Sequence, residues 1–168
     1  MKPSLLAATL AICLLQTAFA QEAVVGVDNA DALFTSPDPV LNRNKQTTYK
    51  IIKELLEANH WERADQYLTE RYLQHNPNAT SGLKGVVEYF TVVRKREPTD
   101  IPEKMKTKIV SVVAEGDIVT VGYPREMKDP KDPSKTYTTT WFDSWRFVDG
   151  KADEHWTRPS RPSRTRTE

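Results

Sequence analysis

The sequence predicts an α+β domain in which N-terminal helices pack on a curved, mainly antiparallel sheet. Two observations carry this. Apolar residues recur at intervals of three and four through the first half of the chain, and from Lys106 onward the pattern changes to short β-branched runs separated by turn residues. Helices followed by an antiparallel meander favour a sheet that wraps around the helices and leaves a cavity between them.

Tyr49, Ile52, Leu55 and Leu56 fall on one face of a first helix over residues 44–58, with Asn42 or Asn44 as its cap and Asn59-His60 as its break. Trp61, Ala64 and Leu68 give a short second helix ending near Glu70. Leu83, Val86, Val87, Phe90 and Val93 form a third stripe, closed by Pro98 after a basic last turn, Arg94-Lys95-Arg96, that suits the helix dipole. Strands are expected over Ile109–Val113 and Ile118–Tyr123, joined at Glu115-Gly116-Asp117. A charged loop, Pro124–Lys135, leads to a long strand, Thr136–Val148, which alternation places with Tyr137, Trp141, Asp143, Trp145 and Phe147 on one face. Asp149-Gly150 is a two-residue hairpin signal that returns the chain as Lys151–Thr157.

The termini read differently. Lys2, the apolar stretch Leu5–Leu15 and the small residues of Ala18-Phe19-Ala20 make residues 1–20 a secretory signal with cleavage near Ala20, hence a secreted or periplasmic product. The apolar run falls short of the roughly 20 residues that span a bilayer, so no stable membrane anchor is expected. Residues 21–41, with Ser36-Pro37-Asp38-Pro39, are expected to be a flexible leader, and residues 158–168, rich in Arg, Pro and Ser, a disordered basic tail. The folded domain is then 42–157. Asn78-Ala79-Thr80 matches a glycosylation sequon, which matters only in a eukaryotic source.

The 168 residues carry 24 Lys+Arg against 23 Asp+Glu, a balance that argues against nucleic-acid partners. The single cysteine, Cys13, lies in the signal, so the mature chain has no thiol for a disulfide, an iron-sulfur cluster or nucleophilic catalysis. The six glycines form no phosphate-binding fingerprint. His75, His155 and Asp143 have the residue types of a metal site, but no spacing supports one. Neither a metal nor another cofactor is expected.

Tyr72-Leu73-Gln74-His75-Asn76-Pro77, together with the run Phe142–Lys151 and Glu154-His155-Trp156, resembles the SnoaL-like (polyketide cyclase-like) proteins of the nuclear transport factor 2-like superfamily. The resemblance covers roughly residues 42–157. It implies a cone-shaped barrel with an apolar pocket, a homodimer formed through the outer sheet face, and cofactor-free acid–base chemistry on a carbonyl compound, as in cyclases that close a ring by aldol condensation. Such a site needs a base beside a carbonyl, a donor for the resulting enolate and an apolar wall.

Asp143 meets part of that description from its own position, because a carboxylate among Trp141, Trp145 and Phe147 is poorly solvated when ionised. His75, at a turn, is the candidate proton donor, and His155 and Glu154 are further candidates. If Asp149-Gly150 is the whole loop and the ladder is regular, Asp143 pairs with Trp156 and Ser144 with His155. Asp143, Glu154 and Trp156 then share a face that His155 does not, unless a bulge shifts the ladder. Trp141, Trp145, Phe147, Trp156, Tyr72 and Phe90 are the expected pocket walls. The function so predicted is an exported acid–base enzyme of aldol cyclase, isomerase or dehydratase type; the alternative is a non-catalytic module that binds an apolar small molecule or dimerises.

Overall fold

The computed structural model of the protein describes residues 22–157; the expected signal and basic tail lie outside the described residues. Three helices, α1 (Pro39–Lys50), α2 (Ala64–Tyr67) and α3 (Leu83–Glu88), pack on one face of a five-stranded sheet of β1 (Leu68–Gln74), β2 (Ser111–Glu115), β3 (Ile118–Lys128), β4 (Thr136–Val148) and β5 (Lys151–Thr157). The order is β1-β5-β4-β3-β2, antiparallel except for the parallel pair β1 and β5. Among the described residues β1 and β2 are unpaired edges, so the barrel implied by the resemblance is a curved, open sheet and not a closed ring. Among the described residues, no helix is long and apolar enough to cross a membrane.

The expected leader is part of the domain. Phe34, at the end of a 3-10 turn over Asp31–Phe34, is fully buried. Gln46 Nε2 donates to its carbonyl at 2.9 Å, and Val27 N donates to Ile109 O at 2.8 Å. An aromatic ring removed from water is worth about 2 to 3 kcal/mol, enough to hold a segment with little regular structure. Helix α1 accordingly starts earlier than expected. Asp38 Oδ1 accepts from the N–H groups of Val40 and Leu41 at 2.9 and 2.8 Å, and Pro39 follows, where its missing N–H costs nothing. Asn44 is buried within the helix instead of capping it.

Beyond Lys50 the helix widens into a π-helical stretch, Ile51–Glu57, which buries Ile51, Ile52 and Leu55. Asn59, at φ 63°, ends it at the expected break. The second helix is shorter than its spacing suggests. Trp61–Arg63 form a 3-10 turn, α2 stops at Tyr67, and Leu68 opens strand β1 while remaining 2% exposed. A buried Leu satisfies either period, so the apolar spacing did not discriminate. After α3 a second π-helical stretch, Tyr89–Val93, changes the phase of the stripe, which leaves Val93 66% exposed.

Strand β3 runs five residues past its expected end. Pro124 is tolerated because β2 pairs only as far as Gly122, so the missing N–H lies on an unpaired edge. The Asp149-Gly150 turn is as expected, with φ 50° and 82° and Val148 opposite Lys151. Two residues later the ladder departs from regularity. Phe147 pairs with Ala152 but Arg146 with Glu154, so Asp153 is an extra residue in β5. Its carboxylate accepts from Thr69 Oγ1 at 2.7 Å and from the Arg71 guanidinium, both in a stretch of β1 whose own register shifts between Leu68 and Leu73. The two irregular segments supply each other's polar partners.

Candidate functional site

The bulge decides what faces the cavity. It pairs Asp143 with Thr157 and Trp145 with His155, one step from the regular register. His155 therefore joins Asp143 and Trp145 on the concave face, while Glu154 and Trp156 turn outward. Strand β3 completes this face with Val119, Val121 and Tyr123, paired with Trp145, Asp143 and Trp141 in turn.

His155 stacks on Trp145 with ring centroids 4.9 Å apart. Its Nδ1 lies 2.8 Å from Gln74 Oε1, and because that oxygen only accepts, Nδ1 carries the proton and donates. Nε2 then bears a lone pair, has no hydrogen-bond partner, and lies 3.9 Å from Asp143 Oδ1. The two side chains are 12% and 22% exposed. Burial pushes the His155 imidazole down to about 3, assisted by the charge of His75. Burial also raises the Asp143 carboxyl, against the lowering effects of the Thr157 hydroxyl and the Arg125 guanidinium. Two acceptors facing each other at this separation repel when both are bare, and the gap is too long for a direct hydrogen bond. The arrangement is completed by one proton, or by a donor on a bound molecule.

Two spaces adjoin the pair. One is an apolar recess of about 30 Å³ beside Ile51, Leu55, Trp61, Tyr72, Phe90 and His155, no more than water-sized. The other is an open cleft of about 550 Å³ lined by Ile52, Leu56, Tyr123, Trp141, Asp143 and Thr157, with Arg96, Lys108 and Arg125 among its cations. Its size suits a small organic molecule. Leu56 lines both spaces. Besides His155 Nε2, three buried donors on the same sheet face lack partners: Tyr123 OH, Trp141 Nε1 and Trp145 Nε1. Buried polar atoms are normally hydrogen-bonded, so a molecule bound on this face would meet polar atoms that have no competing partner. Burial keeps the Tyr123 phenol protonated, its pKa well above the usual value, and the charge of Asp143 adds to the effect.

The predicted residues divide accordingly. Asp143, His155, Trp141, Trp145, Tyr72 and Phe90 border the two spaces. Phe147 is buried core and borders neither. His75 lies on the convex face, 46% exposed at its side chain and stacked on Trp156 with centroids 5.1 Å apart. Glu154 lies there too, with Arg71 at 3.3 Å, Arg146 at 3.6 Å and His75 Nε2 at 3.8 Å. These three residues fail to reach the cavity because their expected placement assumed an unbulged strand, or, for His75, a turn aimed inward. Arg146 bonds Asp117 at 2.7 Å, and Asp153 bonds Arg71. His60 is bonded at both nitrogens, to Glu62 and to the Thr99 carbonyl. Tyr123 and Gln74 were not foreseen as site residues. The Val119, Val121, Tyr123 alternation could have found the first; the second lies in the Tyr72–Pro77 motif that carries the resemblance, where only His75 was singled out.

Helices packed on one face of a curved, open sheet define the fold class. The chain belongs to the SnoaL-like domain family, whose model matches residues 52–155. Among solved structures, it is similar to a protein named as a SnoaL-like polyketide cyclase from Jannaschia sp. CCS1, at 17% identity and a TM-score of 0.51, covering 73% of this chain and 90% of that one. It is also similar to a protein of unknown function from Burkholderia pseudomallei K96243, described as NTF2-like, at 14% identity and a TM-score of 0.50, covering 70% and 91%. These likenesses show the fold. No curated protein matches the chain.

Proposed function

We propose that the protein is a cofactor-independent acid–base enzyme acting on a small carbonyl compound, of aldol cyclase, isomerase or dehydratase type, and that it is exported. The observation that carries the reading is the approach of unpartnered His155 Nε2, at the apolar recess, to Asp143 Oδ1, at the wall of the cleft. In this reading the pair takes a proton from the carbon next to the substrate carbonyl and returns it elsewhere on the molecule. The Tyr123 phenol donates to the oxygen that becomes the enolate, and Gln74 holds the imidazole in the tautomer that leaves Nε2 bare. Trp141 and Tyr123 wall the substrate. The apolar Leu5–Leu15 segment ahead of Ala20 supports export.

The test is exchange of hydrogens next to the carbonyl into deuterated water, followed by NMR over a panel of small ketones and β-keto compounds. It requires only the proton-transfer half of the reaction. Asp143→Asn and His155→Gln are expected to lower exchange by about 10²-fold or more while both variants remain folded. Exchange that survives in both, or none in the wild type across the panel, contradicts the proposal and leaves a binding module.

A further inference from the structure

The cleft carries a charge distribution that the acid–base reading does not use. Arg125, Arg96 and Lys108 reach its lining from three different places: β3, the turn after the second π-helical stretch, and the segment leading into β2. None forms an ion pair among the described residues. Among the described residues, the one acidic side chain that lines the cleft is Asp143. The backbone is held at or beside two of these residues. Arg96 N donates to Phe90 O at 3.0 Å just after Lys95 at φ 49°, and Lys108 adjoins Ile109, whose carbonyl is bound by Val27 N. The guanidinium of Arg125 lies over the Trp141 ring, 4.4 Å from its centroid, which holds it in place while leaving its N–H edge without an acceptor.

The order along the strands gives a distance. Val121 is opposite Asp143, Tyr123 is opposite Trp141, and Arg125 comes next on the same face of β3. Trp141, over which the guanidinium sits, is two residues from Asp143, or about 7 Å along the strand. Asp143, the Trp141 ring and the Arg125 guanidinium therefore follow one another along the same face.

We propose that the cleft selects carbonyl compounds bearing an anionic group, a carboxylate in the first instance, bound by Arg125 with Arg96 and Lys108 beside the Trp141 ring and away from Asp143. The inference names the substrate class of the site assigned above and rests on that reading for the chemistry, but not for the binding. The apolar walls take the body of the molecule and the cations take one end. A planar carboxylate matches the two parallel N–H groups of a guanidinium better than it matches a lysine ammonium, which makes Arg125 the principal contact.

A matched pair of fluorescent probes tests this without a known substrate: anilinonaphthalene sulfonate and its uncharged counterpart N-phenylnaphthylamine. Both are titrated into wild-type protein and into Arg125→Gln, Arg96→Gln and Lys108→Gln variants. The expected result is that Arg125→Gln weakens the sulfonate probe about tenfold or more, the scale of a lost charge-assisted hydrogen bond. The other two variants weaken it less, and the neutral probe is unchanged in all three. Competition by naphthoate against naphthyl phosphate distinguishes the anion, with naphthoate expected to displace the probe at the lower concentration. Equal weakening of the two probes, weakening of neither, or stronger displacement by the phosphate overturns the inference. Asp143→Asn keeps the preference for the charged probe, so failure of the acid–base reading and failure of this one give different results.

Discussion

Replacing Asp153 by Ala tests how the fold brings Asp143 and His155 together. The Asp153 carboxylate, 8% exposed, holds the β5 bulge against β1 through Thr69 at 2.7 Å and the Arg71 fork. A hydrogen bond to a buried charge contributes about 1.5 to 3 kcal/mol. Arg71 is 58% exposed, so solvent screens its share and the Thr69 bond carries most of the effect. The expected loss for Asp153→Ala is about 1.5 to 3 kcal/mol, measured by urea denaturation. The Arg71 and Thr69 bonds hold the Asp153 carboxyl below the usual carboxylate range. Its contribution is therefore present above the unfolded-state value and is lost as pH falls through the lower, folded-state value. The deficit of the variant should be full at neutral pH and shrink in strong acid. A deficit under about 0.5 kcal/mol at neutral pH, or one that does not change with acid, would refute the assignment of Asp153 as the clamp of the bulge.

Phe34→Ala should cost about 3 to 5 kcal/mol in the same assay, because a fully buried ring is lost from a segment that sequence patterning assigns to a leader; a cost near zero would detach that segment from the core. Asp143→Asn should show a pH signature opposite to that of Asp153. Its carboxyl is raised by burial, so the folded state gains from its protonation below the unfolded-state value and loses that gain as pH rises through the folded-state value. The variant's stability relative to wild type should therefore increase between acid and neutral pH, as urea midpoints can check. In the exchange assay Tyr123→Phe should lower the rate by about 10²-fold, as expected for a lost enolate donor. His75→Ala, on the convex face, should change it by less than about twofold.

The helices-then-meander order was legible because each long element repeats its period several times, and the Asp149-Gly150 turn because that dipeptide tolerates two positive φ values. Strand β1 was not. Leu68 continues the spacing of Trp61 and Ala64, and only parallel pairing with β5, remote in sequence, turns the chain into a strand there. The concave face of β4 followed from alternation alone, so Asp143, Trp141 and Trp145 were identifiable. The assignment of β5 depended on a single residue. A regular ladder puts Glu154 inward, and one extra residue puts His155 there instead. That bulge arises from a tertiary clamp between Asp153 and Arg71, which no local pattern encodes. Arg125 was hidden for a related reason: Pro124 and its charged neighbours read as a loop, although the unpaired edge of β3 accommodates them.

The proposed chemistry needs a neutral, desolvated imidazole whose bare Nε2 faces the Asp143 carboxyl, and a nitrogen-detected NMR titration of His155 in the folded protein reads that state. Nδ1 should be protonated and Nε2 unprotonated at neutral pH, with the second proton taken up only toward about pH 3. Titration near 6.5, the ordinary value for an exposed imidazole, or a proton resident on Nε2 at neutral pH, would contradict it.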